Sequence, residues 1–305
     1  MCCSQACAQL HWKINDSLQI NLPKGLKIYY TNDSIDGKPN IAYYIEADLK
    51  NKKLVFDVDT TLNRRLTPNE FYLKNDKPII VVNGTFFNFK TNQNLNTVIK
   101  NGKAVSYNIA STRGVGKDSN RIVKMYRSAI GISKKRKADV AWIQTDSVEN
   151  VKASQHAVLP LKSDSALRLA KDKEWNDINF AKWKMKTAIG GGPVLIQNGE
   201  INIANNEELL FTGKGKFEKN PRTAMGYTAD GKLIILVIEG RNVGKAEGAD
   251  LVQEATILKN IGCIEALNLD GGGSSCMLIN GKETLKPSDK TGQRAVPAVF
   301  IISEK

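Results

Sequence analysis

The chain has 305 residues, 41% of them hydrophobic and 25% charged, a globular composition that excludes a disordered, collagen-like or coiled-coil chain. No window approaches the roughly 20 apolar residues that a membrane-spanning helix needs, so we expect no transmembrane span. Lysine and arginine number 44 against 31 acidic residues, and the net charge of +13 favours an anionic partner. Nucleic acid is not the expected partner, because aromatic residues make up only 7% and no groove-reading or base-stacking module is recognisable.

The first nine residues resemble the end of a signal peptide. Ala6-Cys7-Ala8 has the small-x-small pattern that precedes signal peptidase cleavage, although the apolar stretch expected before it is missing. We therefore predict a leader or signal-peptide remnant at 1–9, a single domain at 10–305, and export to the periplasm, the cell surface or the medium. A flexible terminus without function is the alternative.

The first elements follow from local patterns. Alternating apolar residues predict strands at 41–49 and 54–58, and the polar stretch between them predicts that the two strands pair as an antiparallel hairpin. Thr67-Pro68-Asn69-Glu70 combines a capping threonine, a first-turn proline and a glutamate three residues after the cap, which predicts a short helix. A buried strand is predicted at 79–82.

Short motifs recur along the chain. Asn-Gly stands between apolar segments at 101–102, 198–199 and 280–281, which predicts three tight hairpins. Each follows a polar or glycine-rich loop, and the Arg-Ser-Ala-Ile-Gly motif at 127–131 resembles Arg-Thr-Ala-Met-Gly at 222–226. The irregular spacing favours duplicated strand-hairpin units over a solenoid, with equivalent loops converging on one cleft. Chance resemblance of short motifs is the alternative.

The remaining pattern completes the fold class. A helix is predicted at 249–260, stopped by Gly262 and followed by a strand at 264–269. Residues 145–186 are expected to form a mixed insertion or a small helical layer. The sequence thus predicts an α+β fold: mixed, mainly antiparallel sheet with duplicated units and packed helices around a single core.

Several chemistries are disfavoured by residue counts. With only His11 and His156, a multi-histidine zinc site is impossible and a serine-histidine-acid triad has an unremarkable histidine context. Neither GRNVGK at 240–245 nor GVGK at 114–117 matches a phosphate-binding nucleotide loop. We predict no cofactor and no metal. Cys263 and Cys276 are expected to be buried thiols, with a disulfide as the alternative.

The strongest candidate site is the segment Leu269 to Ser275, LDGGGSS. It places the Asp270 carboxylate at the end of a predicted buried strand, and the three following glycines allow backbone amides to approach a ligand closely. A tight structural turn is the alternative. The glycines at 190–192 form a second loop of this kind without a charged residue.

A second carboxylate, Glu239, ends the predicted strand 233–238 and is followed by Gly240-Arg241. Because a guanidinium matches phosphate oxygens, Arg222 and Arg241 are predicted to clamp a phosphate. As purely structural residues they would instead pair with Asp270 or Glu239.

These motifs together resemble the phosphodiester glycosidases, typified by N-acetylglucosamine-1-phosphodiester alpha-N-acetylglucosaminidase. The resemblance covers most of the chain, with a motif core at 79–302, and its residues are VNGTFF at 82–87, GGGPVLIQNGE at 190–200, NPRTAMG at 220–226, ALNLDGGGSS at 266–275, and PSD with QRAVP between 287 and 297. Two positions depart from the family pattern: Thr85 replaces a glycine, and Glu239 replaces an aspartate before Gly-Arg.

The resemblance implies a hydrolase that breaks the glycosidic bond of a sugar 1-phosphodiester, giving a free sugar and a phosphomonoester. Asp270 and Glu239 would be the acid/base or nucleophile pair. The implied substrate-binding residues are Arg222, Arg241, Asn83, Gly84, Asn268, Gly191, Gly192, Gly271, Gly272, Gly273, Ser274 and Arg294. The implied partner is a phosphorylated or phosphodiester-linked glycan.

Two other functions are compatible with the sequence. A metal-dependent phosphodiesterase would need a cluster of acidic and histidine ligands. A glycan-binding surface protein without catalysis would use Trp142, Trp175 and Trp183 as its platform. The sequence does not specify the sugar, the leaving group or the oligomeric state.

Overall fold

The computed structural model describes residues 9–114, 116–145, 150–171, 173 and 178–305. Within these ranges the fold is mixed but dominated by antiparallel strands, with short helices. The predicted leader with its three cysteines lies almost entirely outside the described residues, as does Trp175.

The strands of the described ranges form four sheets. In spatial order, the eight-stranded sheet comprises β1 (Lys13–Ile14), β2 (Leu26–Thr31), β3 (Ala42–Asp48), β19 (Lys232–Ile238), β18 (Arg222–Thr228), β20 (Cys263–Asn268), β16 (Val194–Gln197) and β17 (Glu200–Ile201). The seven-stranded sheet comprises β14 (Ala181–Lys182), β12 (Val151–Ser154), β11 (Ala138–Thr145), β10 (Arg127–Ser133), β15 (Met185–Gly190), β6 (Val98–Lys100) and β7 (Lys103–Ser106). The five-stranded sheet comprises β22 (Lys282–Glu283), β21 (Met277–Ile279), β5 (Ile80–Asn83), β23 (Ala298–Glu304) and β4 (Leu54–Thr60). The three-stranded sheet comprises β13 (Leu161–Ser163), β9 (Ile122–Lys124) and β8 (Ser111–Arg113).

The helices begin and end where local signals place them. They are α1 (Asp16–Gln19), α2 (Pro68–Lys74), α3 (Ala166–Lys171), α4 (Asn205–Glu208) and α5 (Leu251–Ile261). Both α2 and α5 start with a capping box, formed by Thr67 with Glu70 and by Asp250 with Gln253. Gly262 ends α5 in the left-handed region, with φ 104°. The two sequence-predicted helices are therefore confirmed.

The three larger sheets share one pairing pattern. Each has an interior strand, β5, β15 or β20, next to the opening strand of an Asn-Gly hairpin; on their other side β15 and β20 pair with β10 and β18, the strands that begin with the two arginine motifs. The turn residues have positive φ, for example 52° at Asn101 and 82° at Gly102, as two-residue hairpin turns require. The three predicted hairpins are confirmed, whereas the origin of the pattern by duplication stays a prediction.

The predicted pairing of strands 41–49 and 54–58 is wrong. β3 pairs with β2 and β19, and β4 pairs with β23 in another sheet. The polar segment between them carries the chain from one sheet to the next. Arg136 fixes this crossing, because its guanidinium donates to the carbonyls of Leu49, Asn51 and Leu54.

The eight-stranded sheet is covered on both faces. On one face, Ala224 and Leu236 pack against α5. On the other face, Met225 and Val237 belong to a cluster that also includes buried residues of the seven- and five-stranded sheets. The buried apolar residues in the described ranges fall into four clusters, so a single core is not confirmed.

Several smaller predictions can be placed on this fold. Cys263 and Cys276 are buried free thiols, so the disulfide alternative is wrong. Residues 145–186 contribute β12, β13, α3 and β14, a mixed segment as expected. In the part of the chain that the structure describes, every helix is too short or too polar to cross a membrane.

Candidate functional site

Two acidic residues emerge at one edge of the eight-stranded sheet. β18 lies between β19 and β20 and is antiparallel to both, so the chain leaves β19 and β20 beside the start of β18. Glu239 directly follows β19, and Asp270 follows β20 by two residues. Two strand spacings separate their backbones, roughly 10 Å. The structure therefore brings the two predicted carboxylates to the same edge.

Asp270 is held in place by its backbone. Its N–H donates to Gly84 O at 2.8 Å, and the Asn83 side-chain amide donates to Asp270 O at 2.5 Å. Asn83 Oδ1 accepts from Thr223 Oγ1 at 2.9 Å and from Cys276 N at 3.0 Å. Asn83 is fully buried. It thus braces Asp270 from behind, and the prediction that it binds a sugar hydroxyl does not fit this position.

Asp270 is half-buried as a residue, and its Oδ2 atom is buried without a hydrogen-bond partner in the described ranges. Burial raises the pKa of Asp270 to about 7, while the Ser274 hydroxyl, the Arg294 guanidinium and the Gly271 N–H act in the opposite direction. Asp270 Oδ2 and Ser274 Oγ are both buried without a partner at hydrogen-bonding geometry in the described ranges. A carboxyl with a pKa near 7 can donate or accept a proton at neutral pH.

Two guanidinium groups lie directly on the glycines after Asp270. A Cβ added to Gly272 would stand 3.0 Å from Arg241 Nη2, and one added to Gly273 would stand 2.2 Å from Arg294 Nη2. Gly272 also has a positive φ of 60°. Side chains at these positions would displace the arginines, so the glycines are needed for this close approach.

Both arginines are oriented by neighbouring polar groups. Arg294 Nε donates to Asp289 Oδ2 at 2.7 Å. Arg241 donates to Asn220 Oδ1 from Nε at 3.1 Å and from Nη2 at 2.8 Å. These contacts fix two cations beside the Asp270 loop, as binding of a phosphate would require.

Glu239 has both carboxylate oxygens engaged. Only 4% of the residue is exposed. Oε1 accepts from Asn242 Nδ2 and Oε2 from Lys286 N, both at 3.0 Å. These bonds connect the end of β19 to the segment that carries Asp289 and Arg294. Glu239 therefore has the geometry of a positioning residue.

A cavity of about 300 Å³ opens at this edge, within the range of small-ligand pockets. Its lining is basic and polar: Gly240, Arg241, Asn242, Lys286, Pro287, Ser288, Asp289 and Lys290. Sequence reasoning took only Arg241 from this set as a site residue. The PSD motif at 287–289 was the one signal for the rest, because it belongs to the motifs of the family resemblance.

The Arg222 guanidinium is buried and bonded within the protein, so this arrangement does not present it to a ligand, and its role as a phosphate clamp stays a prediction. It is 2% exposed, and it donates from Nε to Ala249 O and from Nη2 to Glu218 O, both at 2.8 Å. Since side chains alternate along a strand, Arg222 shares the α5 face with Ala224. Thr223 lies on the other face, next to Asn83.

The second glycine loop is closed. Gly192 N donates to Asn268 O at 2.7 Å, and Asn268 Nδ2 donates to Gly192 O at 2.8 Å. Gly191 N donates to Ser128 O at 3.0 Å. A Cβ on Gly192 would stand 2.3 Å from Glu208 Oε2. These predicted substrate contacts are buried in the junction between sheets, where they brace the site without facing the cavity.

Two of the three tryptophans of the alternative glycan platform are buried, and the third, Trp175, lies outside the described residues. Trp142 is 1% and Trp183 7% exposed, so neither indole offers a face to a sugar. In the described ranges, no group of three or more His, Cys, Asp or Glu residues is placed to hold a metal ion.

A model of the phosphodiester glycosidase family matches residues 142–303, more than half of the chain. The chain belongs to this family. A stretch of 103 residues is 36% identical to bovine N-acetylglucosamine-1-phosphodiester alpha-N-acetylglucosaminidase, covering 31% of this chain and 19% of the bovine protein. An 85-residue stretch is 38% identical to an uncharacterised prophage-derived protein, YomE, of Bacillus subtilis, covering 28% of this chain and 13% of that protein. The matches thus span less than a fifth of these relatives' length.

Solved structures show the same fold. The catalytic domain of zebrafish N-acetylglucosamine-1-phosphodiester alpha-N-acetylglucosaminidase, auto-inhibited by its pro-peptide, superposes with a TM-score of 0.62 at 22% identity, covering 98% of this chain and 87% of that one. A hypothetical protein from Synechocystis gives 0.62 at 17% identity, covering 93% and 63%. These identities support the fold and leave the substrate open.

Proposed function

We propose that this phosphodiester glycosidase hydrolyses the glycosidic bond of a sugar 1-phosphodiester, releasing the free sugar and a phosphomonoester. The observation that carries the proposal is the Asp270 carboxyl. Its Oδ2 has no partner in the described ranges, its pKa is raised to about 7, and the Arg294 guanidinium lies beside it. Membership of the family supports the general reaction class.

The roles follow from charge. A phosphomonoester is a competent leaving group, so the reaction needs less help from a strong acid than ordinary glycoside hydrolysis. Arg241 and Arg294 hold the phosphate and stabilise the negative charge that develops on it. Asp270 acts at the anomeric carbon as acid/base or nucleophile. Ser274 and the amides at 271–273 bind sugar hydroxyls, and Glu239 positions the arginine-bearing segment.

N-acetylglucosamine is the first sugar to test, because the bovine and zebrafish relatives are named for it. The chain corresponds to only part of the bovine protein, so the sugar and the leaving group are part of the proposal. Export is proposed as well, on the Ala6-Cys7-Ala8 pattern alone. Amino-terminal sequencing of the protein recovered from each cell fraction would test it.

The reaction is tested by the fate of water oxygen. The full chain is incubated in ¹⁸O-labelled water with an N-acetylglucosamine 1-phosphodiester of a simple alcohol, and the products are weighed by mass spectrometry. Glycosidic cleavage places the label in the free sugar. A label in the phosphate would show attack at phosphorus and replace the proposal with a phosphodiesterase.

Two controls complete the test. Turnover that survives a chelator supports the proposed chemistry, whereas turnover that requires an added divalent cation supports the metal-dependent alternative. Binding of the diester without any product, over a panel of sugar 1-phosphodiesters, would favour the non-catalytic glycan-binding alternative.

A further inference from the structure

A second basic cavity lies far from Asp270. Its volume is about 670 Å³, and six of its thirteen lining residues are lysines: Lys103, Lys134, Lys135, Lys137, Lys182 and Lys184. Among the lining residues in the described part of the chain there is no aspartate or glutamate. We call this cavity the lysine cleft.

Three separate segments carry the lysines of the lysine cleft. They are the β6–β7 turn, the β10–β11 turn and the stretch from β14 into β15. All six lysines are exposed. Apart from Lys103, none of them has an ion-pair partner among the described residues. Like charges gathered by folding repel one another, so their convergence has an unfavourable cost that an anionic ligand would remove.

The β10–β11 turn is fixed in the orientation that presents its lysines. Arg136 interrupts the run of lysines with a left-handed φ of 61°. Its guanidinium points away from the cleft, where it binds the carbonyls of the sheet crossing and lies 5.1 Å from the centre of the Phe56 ring. Lys134, Lys135 and Lys137 remain on the cleft side. The contacts of Arg136 therefore hold the β10–β11 turn in one orientation.

The floor of the cleft is apolar. Ile99, Val151, Trp183 and Met185 lie beneath the lysines. Single-stranded nucleic acid is not favoured as the ligand, because the aromatic ring among the described lining residues, Trp183, is 93% buried and offers no face for base stacking.

The lysine cleft is distinct from the candidate active site. It lies at the Met185 end of β15, and the closed glycine loop lies at the Gly190 end. Five residue steps of strand separate the two ends, roughly 17 Å.

We propose that the lysine cleft binds a phosphate-bearing glycan, so that a substrate with several phosphates is held at a second point while a terminal diester is cleaved. The preference for a phosphorylated anion rests on the lysines, and the choice of a glycan rests on the proposed function.

The test measures binding without turnover. Immobilised phosphomannan is titrated with the full chain, with Lys134→Gln/Lys135→Gln/Lys182→Gln, and with the matched control Lys24→Gln/Lys27→Gln/Lys52→Gln, which removes three exposed lysines elsewhere. We expect the cleft variant to bind about tenfold or more weakly and the control about twofold or less, with a steep salt dependence for the wild type. Cleavage of the short N-acetylglucosamine diester should be the same in all three proteins.

Each contrary result overturns the proposal in its own way. Equal losses in both triple variants would show nonspecific attraction to net charge. Undiminished binding to the same mannan after its phosphate is removed would show that phosphate is not recognised. Tighter binding to an oligothymidylate than to phosphomannan would make the cleft a nucleic-acid surface. Because cleavage of the short diester is measured separately, failure of the hydrolase proposal would leave the binding result interpretable.

Discussion

The two glycine-rich loops at 190–193 and 270–273 have similar surroundings in the fold, but the carboxyl groups beside them differ in hydrogen bonding. Each loop follows an interior strand of its sheet, β15 or β20, and precedes an Asn-Gly hairpin. Beside the loop at 190–193, the Glu208 carboxylate accepts from Ser128 N, Ser128 Oγ and Val194 N at 2.8 to 3.0 Å. Beside the loop at 270–273, the Asp270 carboxyl keeps an oxygen without a partner in the described ranges.

The difference separates two carboxyl groups by how fully the protein bonds their oxygens. Burial raises the pKa of both carboxyls to about 7. A raised pKa therefore does not distinguish them. What distinguishes them is whether both carboxyl oxygens already accept hydrogen bonds within the protein.

The largest expected effect is at Asp270, in the loop 270–273. Asp270→Asn removes the proton-transferring or nucleophilic group and should lower kcat by about 10³-fold or more, with little change in the free energy of unfolding. The measurement is sugar release from the N-acetylglucosamine diester, with Asp230→Asn on an exposed turn as the control. A loss of less than about tenfold would remove Asp270 from the chemistry.

The closed loop should respond in the opposite way. Glu208→Ala leaves three buried donors without an acceptor and should lower the free energy of unfolding by about 3 kcal/mol. The kcat of the folded fraction should be nearly unchanged. Urea denaturation would measure the effect, with the neighbouring Glu207→Ala as control. An unchanged urea midpoint would show that the hydrogen bonds of Glu208 do not stabilise the fold.

The arginines extend the comparison. Arg294→Gln should lower kcat/KM by about 100-fold, because a charge-assisted phosphate contact is lost. Arg222→Gln, at the buried position on the α5 face, should lower the urea midpoint and change kcat/KM by less than about threefold. A large fall in kcat/KM for Arg222→Gln with little change for Arg294→Gln would instead support Arg222 as the phosphate clamp.

A smaller effect is expected at Glu239. A glutamine there can keep one accepting oxygen but places its NH₂ against a donor, so kcat should fall by about tenfold or less. Steady-state kinetics with Glu239→Gln measures this. A loss near that of Asp270→Asn would instead make the two residues the catalytic pair that the sequence predicted.

The smallest effect concerns pH. Asp270 has an ordinary pKa near 3.8 when unfolded and about 7 when folded, so the folded state holds more protons between these values. The free energy of unfolding should therefore fall as pH rises through this window and become flat above it, with Glu208 and Glu254 contributing in the same direction. In urea titrations at pH 5 to 8, Asp270→Asn should make the slope shallower by at most about 1.4 kcal/mol per pH unit. An unchanged slope would contradict the raised pKa.

The sequence predicted what depends on neighbours along the chain. The capping boxes at Thr67 and Asp250 and the Asn-Gly turns are short-range devices, and each lies where its motif indicated. The resemblance also placed Asp270, Arg241 and Arg294 among the site residues, and these three surround one loop.

What the sequence missed depends on contacts across sheets. Nothing in the polar segment 50–53 reveals that Arg136, more than 80 positions away, holds it as a crossing between sheets. Strand alternation does separate Arg222 from Thr223, but only the packing of α5 decides which of the two faces the site. Asn83 was assigned to substrate by the family resemblance, whereas in the structure its side chain is bonded to Thr223, Asp270 and Cys276.

That anchoring of Asn83 has a mechanical consequence. A run of three glycines would be among the most pliable stretches of any free chain. In this fold Asp270, the residue before the run, is bonded to the side-chain amide of Asn83. Asn83 lies in the five-stranded sheet and is also bonded to Thr223 in the eight-stranded sheet. The contact between these two sheets therefore restricts the motion of the Asp270 loop. The Asp270 carboxyl should thus keep its position until these two sheets separate, and loss of activity on heating should coincide with unfolding.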